Sequence, residues 1–325
     1  MRGAQAPSPC PRTAPMIHRD SPRPWGAPEQ EALNFLARRA LDEDLVGPGN
    51  RRGDATSLAL VPESLQGQAS FVSRVEGRVA GLPALAAVFG LVDPRVEVTI
   101  TATEGGPIRP GDRLAKVKGP MMALLTGERT ALNFLQRLSG VASQSEKYTR
   151  LVNDLPCVVL DTRKTTPGWR VLEKYAVRMG GATNHRMGLC DGILIKDNHL
   201  AALSGTAVAT PEIVARATRQ AKEYALEHPG LTVEVEVDNL EQFEAALAAG
   251  PDVILLDNFT LEMLRQAAAL RNRAMPGVRL EASGGVRLET LRAVAQTGVD
   301  RVSIGALTHQ ATSIDIGLDY EPPEA

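Results

Sequence analysis

At 325 residues the chain is long enough for two domains or for one barrel with an appendage, and 43% hydrophobic with 23% charged residues is ordinary for a globular protein. A formal charge of -2 excludes a whole-chain field that would draw it to nucleic acid or an anionic membrane, so any anion site must be a local cluster. The three cysteines (Cys10, Cys157, Cys190) form no CxxC pair, which argues against disulfides and zinc fingers and for a reducing, cytoplasmic compartment. No apolar run approaches the roughly 18 residues of a membrane span.

Residues 1–26 hold six prolines and several arginines but no apolar stretch of signal-peptide type, and read as a disordered Pro-rich tail. Ala27–Leu41 carries Leu33, Leu36, Ala37 and Ala40 at helical spacing, with Pro28 at a sensible first position. From Asp54 to about Lys118, short alternating runs such as Ala69–Val75 and Val96–Thr103 are broken by Gly105-Gly106-Pro107 and Arg109-Pro110-Gly111-Asp112. That pattern predicts a β-rich segment with tight turns. Met121–Val152 reads as a long helix that Ser139-Gly140 could break.

After Pro156 come six short, β-branched runs: Cys157–Leu160, Gly192–Ile195, Thr232–Val237, Val253–Leu256, Val278–Ala282 and Arg301–Ile304. Most are followed by an amphipathic stretch, as in Asn239–Ala249, Leu261–Arg271 and Leu288–Thr297. Alternating β and α units imply a parallel sheet buried on both faces, either doubly wound or a barrel of fewer than eight strands. The runs end on Asp161, Lys196, Glu236, Asp257, Ser283 and Gly305. A barrel gathers all its strand C-termini at one mouth, whereas an open sheet shares a site only near its switch point, so six functional-looking ends favour the barrel.

The loop Asp161–Gly168 holds Thr162, Arg163 and Lys164, and adjacent cations among hydroxyls make a pocket for carboxylates or phosphates, or else a solvated loop. Arg186 and Lys196 bring the candidate cations to four, and His185, beside Arg186 after a Gly-rich approach, is read as a site residue over a structural histidine. In Val233–Val237 both glutamates point to one face and the valines to the other, and in a barrel one of those faces is the interior, where carboxylates need partners. Glu236 and Asp257 beside a phosphate cluster suggest Mg2+ held mainly through substrate oxygens, and hydrogen bonds to ribose; Glu234 could lie deeper with a structural role only. Ser283-Gly284-Gly285 and Gly305 end the last two strands, where backbone N–H groups can approach a phosphate.

Taken together, eight segments resemble the quinolinate phosphoribosyltransferase family: Glu128–Asn133, Asp161–Gly168, Gly180–Gly188, Ile195–His199, Glu234–Asp238, Leu255–Asn258, Ser283–Gly285 and Gly305–His309. The likeness runs from about Glu29 to Asp319. It implies an N-terminal α/β sandwich domain (27–130, joined by 311–325) followed by an incomplete (β/α) barrel (131–310). It implies an enzyme of NAD biosynthesis that converts quinolinate and phosphoribosyl pyrophosphate to nicotinate mononucleotide, pyrophosphate and CO2, with Mg2+. Arg163, His185, Arg186 and Lys196 would surround the dicarboxylate, with Thr162 in the same loop and Lys164 serving both substrates. Glu236 and Asp257 would serve ribose and metal, and Ser283, Gly284, Gly285, Gly305 and nearby His309 the 5′-phosphate. Members work as homodimers or higher assemblies, in which Arg129 would cross into the partner's site; on position alone it reads as a helix-surface ion pair.

A nicotinate-specific transferase, or a molybdenum-associated paralogue on the same fold, is the alternative, although a single carboxylate would need fewer cations. A carrier-type module would display a lysine beside Met at a hairpin tip, and Lys116 and Lys118, next to Gly119-Pro120, lack that setting.

Overall fold

The computed structural model describes residues 23–47, 52–206 and 209–321, so most of the expected Pro-rich tail lies outside the described residues. The described residues divide into two compact units, one within Arg150–Arg163 and His185–Ile304 and one within 23–149, Lys164–Asn184 and 305–321.

The second unit begins with helix α1 (Ala27–Leu45), whose Leu33, Ala37 and Leu41 are buried at helical spacing. A short α2 (Ala55–Leu60) is capped by Asp54, which accepts from the Thr56 and Ser57 amides. The chain continues through β1 (Gln66–Ser73), β2 (Gly77–Arg78), α3 (Pro83–Val92), β3 (Glu97–Ile100), β4 (Pro107–Ile108) and β5 (Arg113–Pro120). The segment expected to be β-rich therefore contains two helices, α2 and α3. In α3, Ala84, Leu85, Val88 and Phe89 are buried on one helical face, and Glu104 accepts the Gly81 and Leu82 amides just ahead of it. Phe89 meets Phe71 of β1 edge to face at 6.2 Å.

The long helix α4 (Met121–Arg150) is unbroken, and Ser139-Gly140 does not interrupt it. Gly140 stands there because the backbone of Thr312 and Ser313 packs directly on it, where a Cβ would collide. Ser139 donates to and accepts from the Ala80 backbone. Helix α5 (Arg170–Met179) and the turn α11 (Ala306–His309) belong to this unit, and β12 (Ile316–Glu321) closes an antiparallel sheet of order β12-β1-β5-β3.

The other unit alternates strand and helix: β6 (Val158–Leu160), β7 (Ile193–Ile195), α6 (Asp197–Ser204), α7 (Pro211–Glu227), β8 (Val233–Val237), α8 (Leu240–Ala249), β9 (Val253–Asp257), α9 (Leu261–Ala274), β10 (Arg279–Ser283), α10 (Leu288–Ala295) and β11 (Arg301–Ser303). All six strands lie within a residue or two of the runs read from sequence. They pair in parallel in the order β6-β11-β10-β9-β8-β7. That is the chain order with the first strand moved beside the last, so it has no reversal point; it is the order of a barrel left open between β6 and β7. Every residue of β8 is buried, as a strand covered on both faces requires.

Candidate active site

The strand ends of the barrel unit bring much of the expected set together. Lys196, which follows β7, pairs with Glu236 of β8. Burial pushes the carboxyls of Glu236 and Asp257 above their ordinary range, and the Lys196 ammonium opposes this in both. Ser283 sits in register with Asp257. Asn258 takes a left-handed φ of 54°, donates its backbone N–H to the Ser283 carbonyl at 2.9 Å, and donates its side-chain Nδ2 to Asp257 Oδ2 at 2.6 Å. Gly284 has a φ of 94°, and a Cβ there would crowd Asn258, so the Ser283–Gly285 turn needs glycine for both reasons.

Arg163 is half-buried and Arg186 buried. Burial lowers the Arg186 pKa and the charge of Arg163 lowers it further, so two guanidiniums are held within electrostatic reach of each other. Arg186 Nη1 donates to the Gly192 carbonyl at 2.8 Å, and the buried Asp161 carboxylate accepts the His185 amide at 2.7 Å, which ties this loop to the end of β6.

His185 turns inward. Its Nδ1 accepts the Arg186 N–H at 2.8 Å, while Nε2 lies 3.1 Å from Glu234 Oε2 and 3.4 Å from Glu281 Oε1. Arg301 completes the group, with Nη2 3.3 Å from Glu234 Oε1 and Nε 2.7 Å from Glu281 Oε2. The latter contact is close but lacks hydrogen-bond alignment, so it acts as a charge pair. Burial alone would lower the His185 pKa, and the two carboxylates outweigh it and raise it to about 9. Burial would likewise raise Glu281, but Arg301 and His185 hold it well below the usual carboxylate range. With His185 protonated, two positive and two negative groups balance in the barrel interior. Glu234 thus lies deep, in this network. Glu281 and Arg301 were not singled out in the sequence, where a charge inside a short apolar strand run was the available signal.

The donor sets for a metal differ in kind. His185, Glu234 and Glu281 could converge on one ion, but Arg301 already meets both carboxylates. At the strand ends, Glu236 and Asp257 offer two carboxylates, one of them engaged by Lys196. That is too few for an all-protein cage and suits Mg2+ held largely by other oxygens.

Thr162, half-buried, lies in the barrel unit beside Arg163, and the sheet unit carries Arg129, Lys164, Gly305 and His309. Arg129 is exposed on α4, and Lys164 and His309 are exposed as well. Gly305 packs so tightly that a Cβ would lie 2.9 Å from His309 Cε1 and 3.1 Å from Lys164 Cδ, which places these three together.

Residues 141–319 match the family described as quinolinate phosphoribosyl transferase, C-terminal domain, and residues 54–139 match its N-terminal domain. The chain belongs to this family. A nicotinate-nucleotide pyrophosphorylase [carboxylating] of Mycobacterium leprae is 43% identical over 296 residues, covering 90% of this chain and 98% of that protein. A probable nicotinate-nucleotide pyrophosphorylase [carboxylating] of Bacillus subtilis is 42% identical over 267 residues, covering 82% and 88%. Among solved structures, the nicotinate-nucleotide pyrophosphorylase from Francisella tularensis superposes with a TM-score of 0.79 at 34% identity, covering 90% of this chain and 96% of that one. Among the described residues, no helix is long and apolar enough to cross a membrane.

Proposed function

We propose that this member of the quinolinate phosphoribosyltransferase family transfers the phosphoribosyl group from phosphoribosyl pyrophosphate to quinolinate, releasing pyrophosphate and CO2 and leaving nicotinate mononucleotide. Family membership supports the reaction class, and the paired guanidiniums of Arg163 and Arg186 support the substrate. Two guanidiniums within electrostatic reach of each other suit a ligand that carries two anionic groups, as a dicarboxylate does.

In this reading Arg163, Arg186 and Lys196 take the two carboxylates, with Thr162 beside them. His185, next to Arg186 in the chain, is turned inward to Glu234 and Glu281. Ser283, Gly284 and Gly285 present backbone N–H groups to the 5′-phosphate; Gly305, His309 and Lys164 serve phosphate and pyrophosphate. The ring nitrogen attacks C1 of the ribose as the bond to pyrophosphate breaks, and Glu236 and Asp257 stabilise the positive charge that develops there. Glu236 and Asp257 would help hold Mg2+, chiefly bound through substrate oxygens, which would supply charge neutralisation for pyrophosphate. The C2–carboxylate bond then breaks, its electron pair stays on the cationic ring, and C2 takes up a proton. We place the chain in the cytoplasm as a homodimer or higher homo-oligomer.

Incubation with quinolinate carrying label in its 2-carboxyl, phosphoribosyl pyrophosphate and Mg2+ tests the reaction. Stoichiometric labelled CO2 and pyridine nucleotide are expected, with nicotinate turned over far more slowly without ATP. Efficient use of nicotinate and no CO2 would overturn the proposal.

A further inference from the structure

One part-buried ion pair within the sheet unit ties together two segments that carry candidate phosphate-binding residues. Glu173 of α5 is fully buried. Arg137 of α4 donates to its Oε1 from Nη2 at 2.6 Å and from Nε at 3.1 Å. The same carboxylate holds the loop after β6: the Thr166 amide donates to Oε2 at 3.0 Å and the Thr166 hydroxyl to Oε1 at 2.8 Å. The rest of the guanidinium serves a different segment, donating to the Thr308 carbonyl at 3.0 Å and to the Ala311 carbonyl, on either side of His309. A third link closes the ring, since Thr308 Oγ1 donates to the Lys164 carbonyl at 2.7 Å.

We infer that Arg137 and Glu173 are positioning residues that fix the Lys164 loop against the Gly305–His309 turn, so the groups for phosphoribosyl pyrophosphate are set before it binds. The inference rests on the assignment of Lys164, Gly305 and His309 to the phosphates. Arginine is required because its planar fork makes four donations from three nitrogens to one carboxylate and two carbonyls, whereas a lysine ammonium has three N–H groups on a single nitrogen. Glutamate is required because its two oxygens accept from Arg137 and from two Thr166 donors together. Neither side chain needs to touch substrate; they work through a preformed geometry.

Glu173→Gln and Arg137→Lys test this, with Thr308→Val as a milder change that removes only the hydroxyl bonds and keeps the ion pair. In the ligand-free protein, amide exchange should rise together at 164–168 and 305–311 in Glu173→Gln and Arg137→Lys. KM for phosphoribosyl pyrophosphate should rise by roughly tenfold or more, while the dissociation constant of quinolinate alone stays within about twofold. Thr308→Val should shift KM in the same direction by less. Exchange rising in only one segment, or equal weakening of both substrates, would overturn the inference, as would a lower melting temperature with KM unchanged. If the wild type turns over no quinolinate, the functional assignment fails, whereas the exchange measurement still decides whether the pair couples the two segments.

Discussion

Arg163 and Arg186 sit on separate loops of one unit, and the charge of the first depresses the pKa of the second. Substituting Arg163→Ala should relieve that repulsion in the empty protein and weaken quinolinate binding by about 2–5 kcal/mol. Phosphoribosyl pyrophosphate binding should barely change, as titration calorimetry with each substrate alone would show; equal losses would mean that Arg163 does not face the dicarboxylate. Asp257→Asn and Glu236→Gln should act in the opposite sense, depressing turnover with Mg2+ while leaving quinolinate affinity nearly intact.

His185 makes a pH-dependent contribution whose sign follows from its surroundings. Its pKa rises from an ordinary value near 6.5 to about 9 on folding, so its stabilisation is complete below about pH 6.5 and lost as pH climbs through 9. The full effect is about 3–4 kcal/mol. The imidazolium also forfeits the Arg186 N–H bond to Nδ1, which subtracts about 1 kcal/mol. Urea unfolding of wild type and His185→Gln at pH 6 and pH 9.5 should show the stability gap narrowing at the higher pH. A gap independent of pH would place the ring in its neutral form throughout.

At the scale of elements, α4 shows why a local rule gave way. A glycine in mid-helix usually costs about 1 kcal/mol against alanine, and Ser-Gly can mark a break. Here Gly140 is an interface, because the backbone of Thr312 and Ser313 occupies the space of a Cβ. Gly140→Ala should therefore destabilise the protein by about 1–3 kcal/mol, where an exposed site would gain. Chemical denaturation decides the sign. The missed helix α3 has a related cause. Its ten residues are apolar nearly all round, and a short apolar run flanked by turns carries no period that separates strand from helix. The barrel strands were legible because each is a short β-branched run followed by an amphipathic helix, and their polar ends already pointed to the barrel.

For the whole molecule, we expect Arg129 to act in the partner's site, from its exposed position on α4. Arg129→Ala and Lys164→Ala homodimers should each be nearly inactive. Heterodimers made by unfolding and refolding the two together should regain activity, because both lesions then fall in one of the two sites. Verified exchange without recovery would show that the arginine works in its own subunit. What was readable in the chain alone was chemistry attached to local pattern: the Asp161–Gly168 cations, Glu236 and Asp257 at strand ends, and the glycines of the last turns. Each sits where period and turn chemistry already dictate which way the chain faces. Depth and partnership were decided only on folding. Alternation in Val233–Val237 tells that both glutamates share a face, but only parallel register sets Glu234 against His185 and Arg301 and leaves Glu236 to Lys196. Likewise Arg137 and Glu173 lie 36 residues apart and make one hub, because packing of α4 against later segments, not any local periodicity, brings a guanidinium to a buried carboxylate.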